Sequence, residues 1–357
     1  MTESAVDIGI LEEKSNWLLH PRFFPSKVGG KPAWLDLKNI CNTAELTCKI
    51  CNDPLVFLCQ VYAPYEEKDD CFHRTIFVFI CRNGTCCRTN CADNLKVLRC
   101  QLRRNNEFYS YEPYEEKENE NFSMERWPKL CHVCGLKGPS HCAKCKKSFY
   151  CSRKHQILDW QKGHKESCSN LVQQDAESNI LPNFIVTESG KSILFKEWEL
   201  VVDVEDEEDN TCVDEKQEME KLRKMMIEKK AGTLSDISEN ELEQYAKNMP
   251  QDKVFNKFSK RISRHPEQVL RYDRGGTPLW ITGNTENHLI YIPNCQYCNG
   301  DRQFEFQVMP QLLNFINIGI DINSIDWGIL AIYTCKNSCN NGPAYKEEYV
   351  VKQDLCN

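Results

Sequence analysis

Gly275-Gly276-Thr277-Pro278-Leu279-Trp280-Ile281 answers Gly29-Gly30-Lys31-Pro32-Ala33-Trp34-Leu35, and this echo decides how the chain is organised. In both stretches paired glycines supply positive φ for a tight turn, proline stiffens the exit, and tryptophan is a large apolar anchor. Outward from the two turns the same features follow in the same order. Cys295-x2-Cys298 begins nineteen residues after Gly276, and Cys48-x2-Cys51 begins eighteen after Gly30. Gln307-Val308 with Pro310 matches Gln60-Val61 with Pro64, and Ala331-Ile332-Tyr333-Thr334-Cys335-Lys336-Asn337 matches Phe77-Val78-Phe79-Ile80-Cys81-Arg82-Asn83. Cys339 then matches Cys86, and Tyr349 to Gln353 echoes Val97 to Gln101. Echoes kept in one order with similar gaps describe a duplicated module.

The module is rich in β-formers, with strands expected over Leu55 to Pro64, His73 to Ile80 and Val97 to Leu102. Each copy has too few strands to bury both faces of a sheet, so the two should pack together about a pseudo-twofold axis, with Trp34 and Trp280 in the core near the junction. Two thiolates on a turn, two strands, then two more thiolates read as a zinc ribbon. Cys48, Cys51, Cys81 and Cys86 form the first set, with Cys87 competing with Cys86, and Cys295, Cys298, Cys335 and Cys339 form the second. A redox reading of Cys48-x2-Cys51 is disfavoured because no βαβ pattern surrounds it. The fold class expected is mainly β with small zinc-bound modules: duplicated halves packed as one pseudo-symmetric domain, plus an inserted finger.

The insertion carries the pairs Cys131-x2-Cys134, Cys142-x2-Cys145, Cys151-x3-His155 and His164-x3-Cys168. A two-residue gap lets two thiolates on one turn reach a single ion, and a three-residue gap does so from one helix face. Eight ligands fill two closed sites with no position for water, which is the structural arrangement. Tyr150-Cys151-Ser152, Asp159-Trp160 and Gly163-His164-Lys165-Glu166-Ser167-Cys168 make this stretch resemble the MYND zinc finger, with His155 standing where most such fingers have cysteine. The resemblance implies interleaved sites: Cys131, Cys134, Cys151 and His155 on one ion, and Cys142, Cys145, His164 and Cys168 on the other. It also points to Gln156 and Trp160, four residues apart, as the pair with which such fingers clamp proline-containing peptides. A lid over the finger's own zinc sites is the competing role for Trp160.

The segments expected are residues 1–112 for the first module, 113–128 for a linker, 129–170 for the finger, 171–250 for an acidic, partly disordered linker with helical stretches, and 251–357 for the second module. Within that second linker Asp203 and Glu205 to Asp209 form an acidic block, readable as an electrostatic decoy; residues 214–230 read as a helix, and Ser238 with Glu241 as a capping box. Asp252 to Ser263 reads as an amphipathic helix presenting Val254, Phe255, Phe258 and Ile262.

At 357 residues the chain accommodates two ordinary domains plus the finger. No run of eighteen apolar residues exists and no signal peptide is visible, so neither a membrane nor a secreted location is expected. Twenty-two cysteines without a secretory signal argue for thiols serving metal in a reducing compartment. The net charge is −7, while residues 131–168 hold eight Lys or Arg against Asp159 and Glu166; the finger is therefore +6 and the remainder −13. A basic finger can attract nucleic acid or an acidic peptide, but the acidic balance of the chain argues against direct DNA binding.

No catalytic centre is read. There is no phosphate loop, no Gly-x-Ser-x-Gly elbow and no His-Glu-x-x-His helix, and Cys71 with His73 lacks the geometry of a nucleophile and base. Phe-Pro-Ser-Lys-Val-Gly-Gly-Lys-Pro-Ala-Trp-Leu from Phe24, Gln-Val-Tyr-Ala-Pro from Gln60, Phe-Gln-Val-Met-Pro-Gln-Leu-Leu from Phe306 and Ser324-Ile325-Asp326-Trp327-Gly328, with the finger between, make nearly the whole chain resemble the programmed cell death protein 2 family. The resemblance implies a non-enzymatic adaptor of cytoplasm and nucleus: a dedicated chaperone that captures one basic small-subunit ribosomal protein, number two in eukaryotic numbering. An acidic β-rich cradle suits such a client, and the duplicated module rather than the finger is expected to make the main contact. The rival is a nuclear scaffold whose Gln156 and Trp160 recruit corepressor peptides in transcription or cell death.

Overall fold

Ten strands close into one antiparallel barrel. The structure is a computed structural model and describes residues 6–118, 129–168, 193–205, 253–283, 291–316, 318 and 324–355. Strands β1 (Asp7–Glu12), β2 (Lys27–Val28), β3 (Val56–Tyr62), β4 (His73–Ile80) and β5 (Leu95–Leu102) belong to the first copy. The finger follows with β6 (Ser140–His141), β7 (Phe149–Tyr150) and helix α1 (Arg153–Asp159). The second copy has β8 (Trp198–Val204), helix α2 (Lys253–Ile262), β9 (Leu270–Tyr272), β10 (Arg302–Val308), β11 (Ile329–Cys335) and β12 (Tyr345–Gln353).

The order around the barrel is β1-β8-β2-β3-β4-β5-β12-β11-β10-β9 and back to β1. Exchanging β1 with β8, β2 with β9 and so on to β5 with β12 returns the same circle, so the expected pseudo-twofold is built into the topology. Each copy also lends its leading strand to the other: β1 pairs with β9, and β8 pairs with β2. Neither copy is a complete sheet alone, and closure removes the exposed edges each would otherwise carry.

Ladder register refines the echoes. Gln60 faces Phe77 as Gln307 faces Ala331, and each copy has a bulge on the third strand, at Leu58 and at Glu305. Ile76 faces Arg99 where Leu330 faces Lys352, and Val78 faces Val97 where Ile332 faces Val350. Val97 is thus the twin of Val350, one residue from the echo that placed it opposite Tyr349.

Alternate residues of the strands fill the barrel with one apolar cluster that includes Val56, Ile76, Val97, Phe306, Ile332 and Val350. The opposite faces of the first copy's strands carry Phe57, Phe77 and Phe79 in a second cluster with Trp34, which also takes in Val133 and Leu136 of the finger. Trp34 is 1% exposed, but Trp280 is only half-buried, outside the barrel against Phe304 and Tyr333. The expectation that both tryptophans are core residues at the junction is corrected: Trp34 lies under the finger and against Tyr345, whereas among the described residues Trp280 is only flanked, by Phe258 of α2 and by Ile292.

β8 is a second correction, since it falls inside the stretch read as a linker. Its neighbour Glu205 is no exposed decoy; buried, it accepts from Arg271 at 2.7 and 2.8 Å and from Arg261 at 2.7 Å. The rest of the acidic block from residue 206, the helix read over 214–230 and the capping box at Ser238 and Glu241 lie outside the described residues. In α2, Phe258 is buried and Phe255 is exposed, so only part of the apolar stripe is used.

Candidate metal centres and the finger face

Four groups of ligand atoms converge: the two ribbon sets read from spacing and the two interleaved finger sets that the MYND resemblance implied. Cys48, Cys51, Cys81 and Cys86; Cys131, Cys134, Cys151 and His155; Cys142, Cys145, His164 and Cys168; and Cys295, Cys298, Cys335 and Cys339 each hold their donor atoms within 4.8 Å of one another. A tetrahedron with zinc–sulfur bonds of about 2.3 Å has edges of about 3.8 Å. The sulfur separations are 3.7 Å for Cys51–Cys81, 3.5 Å for Cys134–Cys151, 3.8 Å for Cys142–Cys168, 3.8 Å for Cys295–Cys339 and 3.6 Å for Cys298–Cys335. Donor set and spacing therefore fit zinc.

One local device builds every Cys-x2-Cys knuckle. The residue after the second cysteine returns its N–H to the carbonyl of the first: Asn52 to Cys48, Gly135 to Cys131, Lys146 to Cys142 and Asn299 to Cys295, at 2.8 to 2.9 Å. Each of those four residues has φ between 56° and 73°, the left-handed turn that aims both thiolates at one point. Cys86 joins the first tetrad and Cys87 does not, its Sγ lying 2.8 Å from the Asp326 carbonyl.

Cys81 follows the end of β4, and Cys335 ends β11. Because β4, β5, β12 and β11 alternate in direction, the two ribbon tetrads sit at opposite ends of the barrel. The copies also interlock there: Gln101 donates to the Ser338 carbonyl at 2.9 Å and Arg74 Nε to Ser338 Oγ at 3.0 Å, so the first copy steadies the loop before Cys339.

In the finger, His155 presents Nδ1 toward Cys131 at 3.6 Å and Cys151 at 3.0 Å, while His164 presents Nε2 toward Cys145 at 3.6 Å. The other nitrogen of His164 faces Ser148 Oγ at 3.4 Å and Asp159 at 4.0 Å. Asp159 also accepts from the Tyr150 hydroxyl at 2.7 Å and lies 3.0 Å from His132 Nδ1. Burial opposes its ionisation, and these partners together hold its carboxyl below the usual range. Ser148 Oγ is thus the group within hydrogen-bond reach behind the metal-facing His164 imidazole and orients the ring, with the Asp159 carboxylate acting on it through charge.

The finger is seated by contacts that spacing did not reveal. Trp34 Nε1 donates to the Gly135 carbonyl at 2.7 Å, and Lys31 Nζ donates to the His132 carbonyl at 2.7 Å. A Cβ on Gly135 would come within 2.8 Å of Lys31 Cβ, so glycine is required both for φ and for the approach. The signal available in the sequence was the Gly30-Lys31-Pro32-Ala33-Trp34 turn itself, read as a core anchor rather than a seat. In α1 Gln156 is half-buried and Ile157 exposed, and Trp160, the residue just after the helix, is 39% exposed. Trp160 meets the His164 ring edge-on with centroids 5.9 Å apart, so it partly covers its own site while keeping a surface.

Residues 5–116 match the N-terminal domain of programmed cell death protein 2, residues 252–354 its C-terminal domain, and residues 131–168 the MYND finger. Programmed cell death protein 2 of Bos taurus is 43% identical over 363 residues, covering 99% of this chain and 98% of its own. That of Mus musculus is 43% identical over 356 residues, covering 98% and 96%. The Schizosaccharomyces pombe protein named Probable 20S rRNA accumulation protein 4 is 26% identical over 368 residues, covering 90% and 89%. No solved structure matches. No helix among the described residues is long and apolar enough to cross a membrane. With both flanking domains, the finger between them and whole-length identity in agreement, the chain belongs to the programmed cell death protein 2 family.

Proposed function

We propose that the protein is a non-enzymatic, dedicated chaperone of a basic small-subunit ribosomal protein, number two in eukaryotic numbering, and supports small ribosomal subunit assembly in cytoplasm and nucleus. The observation that carries this reading is the whole-length likeness to a fission-yeast protein named for 20S rRNA accumulation. Charge supports it, since the chain outside the finger carries −13 and a ribosomal client is basic. Each Cys/His tetrad supplies four protein ligands, so a zinc ion in each keeps no position for activating water. Two ions in the finger and one in each β-rich half make four per chain, with a stabilising rather than a reactive role. Purification of the tagged protein from nuclease-treated extract, followed by quantitative mass spectrometry, tests the reading. One small-subunit ribosomal protein near equal stoichiometry supports it; ribosomal proteins at background only would end it.

A second reading rests on the exposure of Ile157 beside Gln156 on α1 and of Trp160 just after it. On this reading the finger docks proline-containing peptides as a nuclear scaffold. Trp160→Ala then abolishes the dominant interaction with zinc content unchanged, whereas the chaperone reading expects client binding to survive that substitution.

A further inference from the structure

The pseudo-twofold relates the finger's seat to the Trp280 face, where Phe258 of α2 lies on one side of the ring and Ile292 on the other, while no described residue accepts from the indole N–H. In the first copy the Gln60 side chain clamps the residue before the tryptophan: Ala33 N–H donates to Gln60 Oε1 at 2.9 Å, and Gln60 Nε2 reaches the Ala33 carbonyl at 3.4 Å. In the second copy Gln307 does the same to Leu279, at 2.6 and 3.1 Å. Both tryptophans are therefore held by one device at twin positions. Trp34 uses its indole N–H on the carbonyl of Gly135, the left-handed residue that closes a tight turn, whereas the Trp280 indole donates to no described residue. Thr277, at the position of Lys31, is exposed; Ile292 packs half-buried on the same cluster as Trp280, and the adjoining Tyr291 is 79% exposed.

We propose that the Trp280 face is the docking site for the ribosomal client, and that the client fills it as the finger fills the twin seat: with a tight turn closed by a small residue whose main-chain carbonyl accepts from the Trp280 indole. The identity of the client rests on the chaperone reading; the placement rests on the intramolecular interface that the same fold already makes once. The turn in the first seat closes on glycine, buries Val133 and Leu136 beside Trp34, and satisfies an indole N–H that burial would otherwise strand. An equivalent turn over Trp280 would bury an aromatic anchor in the way that dominates binding energy at protein interfaces.

The test is a titration of the full-length, zinc-loaded protein with the recombinant ribosomal protein. Trp280→Ala weakens binding tenfold or more, Trp280→Phe weakens it less because the ring survives without its N–H, and Trp160→Ala leaves it within twofold. Thr277→Arg guards against misfolding of the tryptophan variants, because it adds bulk at an exposed position and leaves the core alone. It should weaken binding with zinc content and thermal midpoint unchanged. Wild-type affinity in both Trp280→Ala and Thr277→Arg overturns the docking site and leaves the chaperone reading standing. Failure of the wild-type protein to bind overturns the chaperone reading and the proposal with it.

Discussion

At one end of the barrel the interior closes on charge, and at the other it closes on aliphatic carbon. Near Cys335, Arg74 donates to both oxygens of Glu305 at 2.6 and 2.7 Å, and Arg99 donates to Glu348 at 2.7 Å, all four side chains turned inward and buried. Their twins by ladder register are Gly328, Leu58, Lys352 and Leu95. There Leu58, Leu95 and Trp327 pack into the core, and Lys352 turns its ammonium to the Arg88 carbonyl and Asp354. The features shared by the copies are those that set geometry: a bulge on the third strand, a glutamine clamping a turn, a knuckle with one left-handed residue. What differs is how each end is sealed and what covers each tryptophan. Geometry can repeat while the two surfaces take different partners.

The largest expected effect separates the finger from the barrel. A chelator that strips the finger tetrads removes the ligand-to-metal bonds that define its turns, and structural zinc binding is worth on the order of 10 kcal/mol in small fingers. Hydrogen exchange should show the Gly135 and Lys146 amides losing protection first, with Trp34 uncovered and β4 still protected. Simultaneous loss in β4 would mean that finger and first copy unfold as one unit.

Next in size is the charged seal. Burial opposes ionisation of Glu305, but Arg74 and Arg274 beside it hold its carboxyl down to about 2. Arg74→Met leaves that carboxylate without its bidentate partner and should cost about 3–5 kcal/mol in denaturant unfolding. Combining it with Glu305→Leu, the residue at the twin bulge, should recover most of the loss by making this end resemble the other. A double variant no better than the single one would show that the two ends are not interchangeable.

The tryptophans give a smaller contrast. Trp34→Ala removes a ring in contact with Phe77, Phe79 and Tyr345 together with its hydrogen bond to the finger, for a loss of about 3–5 kcal/mol. Trp280→Ala empties a half-buried site and should cost about 1–2 kcal/mol. Equal losses would break the distinction between a roofed seat and an open one.

How far these features were legible follows from the range of the interactions that make them. Cys-x2-Cys knuckles are local, so spacing named the ligand pairs, while the interleaving of the finger's pairs into two tetrads came from its resemblance to the MYND finger. The barrel's halves were legible because a duplication writes the same pattern twice, but register was not: alternation tolerates a one-residue displacement in an echo, and only the ladders place Val97 opposite Val350 in the symmetry. β8 went unread because Trp198–Val204 runs into an acidic block, and its strand character depends on pairing with β1 and β2 far away in sequence. The Arg74–Glu305 pair spans 231 residues and leaves no local trace at all.

The smallest effect tests the aromatic seam beside the first copy's turn. His73 is buried, stacks on Phe24 with centroids 4.2 Å apart, and lies with Nδ1 2.9 Å from the Tyr62 hydroxyl. Burial, with Arg104 nearby, pushes its imidazole down to about 4, and burial beside Arg22 does the same to His20. Both rings are neutral in the folded chain at a pH where the unfolded chain has already taken up protons. Their contribution is complete above the ordinary value of 6.5 and is lost as pH falls from there toward 4. For His73 this amounts to about 2–3 kcal/mol across the window. Zinc ligands also take up protons in acid, so the wild-type profile alone does not isolate the histidine. His73→Phe keeps the stack on Phe24 and removes the titration, so the gap in unfolding free energy between the two proteins should narrow steadily from pH 6.5 to 4.5. A gap that stays constant over that range would place the His73 proton affinity at its ordinary value and remove this seam from the acid sensitivity of the first copy.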